Sequence, residues 1–161
     1  MTVRTNLVKD RRPLHFTWLG DLLADVQQFD GATVIATGNW TPAQIVQHVA
    51  KLIHLSIDGF QGLMAPFILR ALGRLFKRHM LTRPLKPGIT LPGRFDLLLP
   101  DPDVTWDDAV SELWRAVDRV QQGERMEQPS PVLGPLTHEE WEQLHCRHAE
   151  MHFSFLKHGG T

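Results

Sequence analysis

The sequence predicts an all-α fold: a four-helix bundle with an extra short helix and a Pro-rich loop between the second and third helices. Three observations carry that expectation. Apolar residues return every three or four positions along four stretches, the spacing that lines one face of a helix. Thr41, Thr105 and Thr137 stand at capping-box spacings ahead of three of those stretches. No segment alternates enough to build a sheet, which leaves helix packed on helix.

Leu14, Trp18, Leu22 and Val26 repeat at intervals of four and mark a first helix over roughly 13–29, ending before Asp30-Gly31. Residues 31–39 form a connecting loop with a short β-branched run. The second helix, about 42–61, has Thr41 as N-cap, Pro42 at N1, Gln44 at N3 and a Trp40–Ile45 hydrophobic staple. Its buried face is Ile45, Val49, Leu52, Ile53, Ser56 and Phe60. Next comes a short basic amphipathic piece at 66–80, setting Phe67, Ile68, Leu72, Leu75 and Phe76 against Arg70, Arg74, Lys77 and Arg78. The expectation is that its apolar side packs on the bundle and its arginines face water, rather than that it touches an anionic membrane. Residues 81–104 carry five prolines and two glycines and read as an irregular loop. Thr105 caps the third helix, to about 122, with Leu113, Val117 and Val120 inward. The last helix runs about 138–157, with Thr137 as N-cap, Glu140 at N3 and Trp141 at N4, and closes at Gly159-Gly160.

The length of 161 residues suits a single domain over 1–161. With 17 basic and 18 acidic residues the net charge is −1, so no general electrostatic draw toward nucleic acid arises. One cysteine excludes an internal disulfide and fits a reducing compartment. No run approaches the ~20 apolar residues of a membrane span, and Met1–Asp10 lacks a signal-peptide core. The expectation is a cytoplasmic protein acting on a small molecule.

Three of the nine histidines, His145, His148 and His152, share one face of the last helix with Trp141, Leu144, Ala149, Phe155 and Leu156. A buried imidazole needs partners for its ring nitrogens, because an unpaired polar group costs roughly 2–7 kcal/mol to bury. Residues four apart lie about 5–6 Å apart at Cβ, so His148 and His152 can converge on one divalent ion. A third ligand comes better from another helix, and His48, at the flank of the second helix's apolar stripe, is the best candidate. His145 reads as a pocket or outer residue, able to act as a general base near neutral pH. Gln44, one turn before His48, either orients that imidazole or serves only its capping box.

The helix start Trp40-Thr41-x-x-Gln44-x-x-x-His48, together with Gly134-Pro135-Leu136-Thr137-His138-Glu139-Glu140-Trp141 continuing to Leu144-His145-Cys146-Arg147-His148 and His152, resembles the DinB/YfiT-like superfamily of metal-binding four-helix bundles, in an uncharacterised branch. The resemblance implies that His48, His148 and His152 hold zinc or nickel plus water. It also implies chemistry of the kinds known there, a metal-dependent hydrolase or a transferase or isomerase using a low-molecular-weight thiol, in proteins that are often homodimers.

Each of these residues has a plainer reading. His148 and His152 can be a satisfied core pair, and His15, His54, His79, His138 and His158 solvated or capping residues. Cys146 points off the histidine face and reads as a packed apolar residue rather than a nucleophile. Two function classes stand. One is an enzyme with an open metal position; the other is a non-catalytic binding protein in which the metal is structural.

Overall fold

The computed structural model describes residues 2–88 and 95–159. Among them are five helices: α1 (Leu19–Val26), α2 (Pro42–Asp58), α3 (Phe67–Thr82), α4 (Trp106–Gln121) and α5 (His138–Phe153). Two short strands, β1 (Val34–Ala36) and β2 (Leu156–His158), pair antiparallel with Ile35 opposite Lys157.

The start signals work as capping chemistry requires. The Thr41, Thr105 and Thr137 hydroxyls each accept the backbone N–H three residues on, and Gln44 and Glu140 return the bond to the N-cap N–H. α2 stops at Asp58 because Gly59 turns to φ 98° while its N–H still bonds the Leu55 carbonyl at 2.9 Å. α2 and α4 share the most extensive helix–helix face. Val46, Val49, Ala50 and Ile53 of α2 and Ala109, Leu113, Ala116 and Val117 of α4 are all without solvent exposure. Cutting Leu113 to alanine in so closed a face costs about 2–5 kcal/mol.

Three expectations are corrected. The first helix begins at Leu19 rather than near 13, because the preceding segment is bonded elsewhere. Glu150 accepts the Phe16 N–H at 2.6 Å, Arg147 donates to the Phe16 carbonyl, and Asp21 accepts the Thr17 and Trp18 N–H groups. The last helix ends at Phe153 rather than 157, and the β-branched run at 33–35 pairs with residues 157–159 beyond it. The Thr37 N–H bonds Phe155 O at 3.1 Å and Gly159 N–H bonds Thr33 O at 2.8 Å, extending the strand pair. A small sheet therefore accompanies the helices, at three residues per strand too short for an alternating pattern to show.

The third correction concerns α3. It has 16 residues, as many as α4 and α5, and packs against α5. Leu69 and Met80 pack partly on the core, but most of its apolar side is not covered. Only Gly73 and Leu81 are buried, whereas Phe67, Ile68 and Leu75 are 80%, 73% and 74% exposed. Gly73 is where the chain comes close: a Cβ there would stand 2.5 Å from the Val132 carbonyl oxygen. Of the predicted loop 81–104, residues 89–94 lie outside the described residues, as does Gly160 at the predicted close of the last helix, and Asp96–Leu98 forms a 3-10 turn.

Candidate metal centre

α2 and α5 pack directly on each other and bring His48, His148 and His152 together. One ring nitrogen from each lies within 4.8 Å of the others. The ring centroids are 5.0 Å (48–148), 4.6 Å (48–152) and 4.5 Å (148–152) apart. Among the described residues no cysteine or carboxylate joins the group, so three imidazoles can hold a metal here and no fourth side chain closes it.

The orientation of His48 is set from its far side. Its Nδ1 lies 2.6 Å from the Leu98 carbonyl oxygen. A carbonyl only accepts, so the proton is on Nδ1 and Nε2 carries the lone pair. That lone pair points at His148 Nε2, 3.2 Å away. Two nitrogens held tetrahedrally by one ion stand ~3.3–3.4 Å apart, given His–zinc bonds of about 2.0–2.1 Å. The observed pair is thus spaced for a shared ion. An imidazole that gives its other N–H to a backbone carbonyl is also the usual outer arrangement of a metal ligand.

The segment that follows Leu98 is held by side chains of α2. Lys51 donates to the Leu99 carbonyl (2.9 Å) and to Asp101 (2.8 Å). Gln47 donates to Asp101 (2.7 Å) and Glu112 (3.1 Å), and accepts the Asp101 N–H at 2.7 Å. Trp40 closes another side, stacked on His152 at 5.5 Å and 15° and tilted on His48 at 4.7 Å. Gln44 spends its amide on the capping box and the Pro102 carbonyl, so the orienting contact is Leu98 and not Gln44. Sequence reading misses Leu98 because a main-chain carbonyl carries no side-chain signal.

All three imidazoles are held below the usual histidine pKa, chiefly by burial. For His148 and His152 mutual repulsion among the cluster adds to it; for His48 the Leu98 bond opposes it. They are therefore neutral at physiological pH, the form that binds metal. His148 Nδ1 is buried with no hydrogen-bond partner.

The cluster forms part of the wall of a cavity of about 770 Å³. The rest is mostly apolar: Leu69, Leu72, Phe76 and Met80 from α3, with Leu98, Leu133, Leu144 and Phe155 among the others. The arginines of α3 do not line it, and neither does His145. His145 is fully buried, stacked on Trp141 at 5.2 Å, with Nε2 3.1 Å from the Ser56 hydroxyl and Nδ1 unpaired. Burial pushes its pKa down to about 3. Cys146 is buried, and burial, with the Glu142 charge next, pushes its thiol up to about 12. His138 accepts the Met126 N–H at 3.0 Å, His54 contacts Arg119, and His158 stacks on Phe29. None of these joins the centre.

A model of the family described as "Protein of unknown function (DUF1569)" matches residues 8–159. No curated protein and no solved structure matched the chain.

Proposed function

The chain belongs to the DUF1569 family, whose function is unknown, and from its own site we propose that it is a divalent-metal protein whose three-histidine centre acts on a small, largely apolar molecule. The observation that carries this is the fixed lone pair of His48, aimed at His148 Nε2 in the wall of an apolar cavity. The ligands are His48, His148 and His152, and the ion is zinc or nickel. On this reading the chain is a member of the DinB/YfiT-like superfamily, one cytoplasmic four-helix-bundle domain with α3 added.

This chain's residues have separable tasks. Leu98 O holds the proton on His48 Nδ1 and so keeps Nε2 free. Trp40 limits rotation of His48 and His152. The apolar wall excludes water and receives the body of the molecule, leaving its oxygen or sulfur donor for the centre. A bound divalent ion would supply Lewis acidity, polarising a carbonyl or lowering the pKa of a water or thiol. Hydrolysis, or transfer to a low-molecular-weight thiol, are the reactions that suit such a site. Three neutral ligands leave the ion's charge uncompensated, which favours an anionic ligand in the remaining position. A purely structural metal is the weaker reading, since α2 already packs directly on α5 and among the described residues no fourth side chain completes the shell. His145, away from the cavity, stabilises the core through Ser56 rather than serving as a base.

Cobalt substitution tests the open position. Azide and a small thiolate should each change the visible spectrum of the cobalt protein near neutral pH. Spectra unmoved by saturating amounts of both would contradict the enzyme reading.

A further inference from the structure

α3 turns an apolar surface to solvent beside the cavity. Phe67, Ile68 and Leu75 are its most exposed members. Leu72 and Phe76 are about half exposed and also line the cavity, so the apolar surface runs without a break from outside to the chamber that the three histidines face. The charge on the segment itself is of one sign. Residues 66–88 carry Arg70, Arg74, Lys77, Arg78, Arg83 and Lys86, and all 18 acidic residues of the chain lie elsewhere. Lys77 is paired with Glu140 at 2.7 Å. Among the described residues no carboxylate pairs with Arg74 or Arg78, both exposed.

We propose that α3 docks on an anionic lipid bilayer, lying in the interface with Ile68, Leu72 and Leu75 toward the acyl chains and Arg74 and Arg78 among the headgroups. A helix that joins an exposed apolar stripe to unpaired cations has the two attractions that hold interfacial helices, hydrophobic burial and attraction to anionic lipid. No described helix is long and apolar enough to span, so the helix lies on the surface. A second copy of the chain is a poor occupant, because a two-fold contact through this face brings together two copies of a helix whose charged residues are all cationic. The bilayer also accounts for the continuity with the cavity: apolar molecules concentrate in lipid, and Leu72 and Phe76 provide a path inward that avoids water. The docking itself does not depend on the metal.

Vesicle flotation of the full chain tests this. Vesicles of phosphatidylcholine with about one third phosphatidylglycerol should carry the protein at low salt, and vesicles of phosphatidylcholine alone should carry far less. Binding should fall steeply toward 1 M salt, where the Debye length is about 3 Å. Each cation near an anionic surface contributes roughly fivefold in partitioning, so Arg74→Glu/Arg78→Glu should lose at least tenfold. Ile68→Glu/Leu75→Glu should also lose flotation, while Trp114→Glu, an exposed apolar residue on α4, should keep it. Circular dichroism checks that each variant is folded, and the arginine pair, fully on the surface, serves if the apolar pair is not. Absence of flotation with anionic vesicles overturns the proposal, as does equal flotation with neutral ones or flotation unchanged in both α3 variants. Sedimentation showing a dimer that Ile68→Glu/Leu75→Glu dissolves would give the face to a second copy and overturn it as well.

Discussion

α5 carries a buried and a half-buried set of polar side chains on different faces, and they are completed differently. On one face Arg147 and Glu150 pair at 2.7 Å, and the extended N-terminal segment satisfies both: Arg147 donates to the Phe16 carbonyl and contacts His15, and Glu150 accepts the Phe16 N–H. On the other face His148 and His152 meet His48 with no carboxylate in reach, and one buried nitrogen of His148 has no partner. The first set is closed by the protein itself and fastens His15 and Phe16 to the helix. The second leaves lone pairs turned toward a common point. Convergence of ring nitrogens from three side chains, rather than burial or a single unpaired atom such as His145 Nδ1, separates polarity prepared for a ligand from polarity that holds a fold.

Removing one member of the closed set should have the largest effect. Glu150→Ala leaves Arg147 buried without its counter-charge, and breaking such a pair costs about 3–5 kcal/mol. Denaturant unfolding checks it; a loss below about 1 kcal/mol would erase the contrast between the faces.

Acid should act through the buried imidazoles. His145 has a folded pKa of about 3 and an unfolded value near 6.5. Its folded pKa is depressed, so below pH 6.5 the unfolded chain takes up a proton that the native chain refuses. Its contribution to stability is complete above pH 6.5 and declines as pH falls toward 3. The metal-free protein should lose stability over that window, and His145→Asn should remove about one proton of slope, ~1.4 kcal/mol per pH unit between pH 6 and 4. Identical slopes for the two proteins would contradict burial of a neutral His145.

A cap serves both faces at once. Thr137→Ala should cost about 1 kcal/mol and leave metal affinity unchanged, since His148 and His152 sit about three and four turns downstream. An accompanying loss of metal would show that the faces are not independent. The smallest stability change belongs to the open set: His148→Leu should leave the metal-free protein within about 1 kcal/mol, because it deletes a group whose Nδ1 is already unpaired. A loss as large as that of Glu150→Ala would make His148 a structural residue.

The contrast between the faces also explains what could be read in advance. The histidine pair announces itself by its i, i+4 spacing, whereas His48, about two turns beyond a helix start with a full capping box, was joined to the pair by the family resemblance. Arg147 and Glu150 were not legible, because their partners are main-chain groups of an extended segment whose apolar spacing imitates a helix. Leu98 was hidden for the same reason. The β1–β2 pair is a long-range contact between runs of three residues, below the length at which alternation means anything. For α3 the pattern told correctly that one side is apolar, yet amphipathicity cannot say whether that side is covered, and here Ile68 and Leu75 stand in solvent.

Equilibrium titration of chelator-stripped protein with zinc or nickel, at pH 7 and without an affinity tag, decides whether the three histidines hold an ion. One ion should bind per chain, and His148→Ala/His152→Ala should lose that site with its helical circular dichroism unchanged. A folded double variant that still binds one ion with wild-type affinity, or a wild-type chain that binds none, would contradict the three-histidine centre.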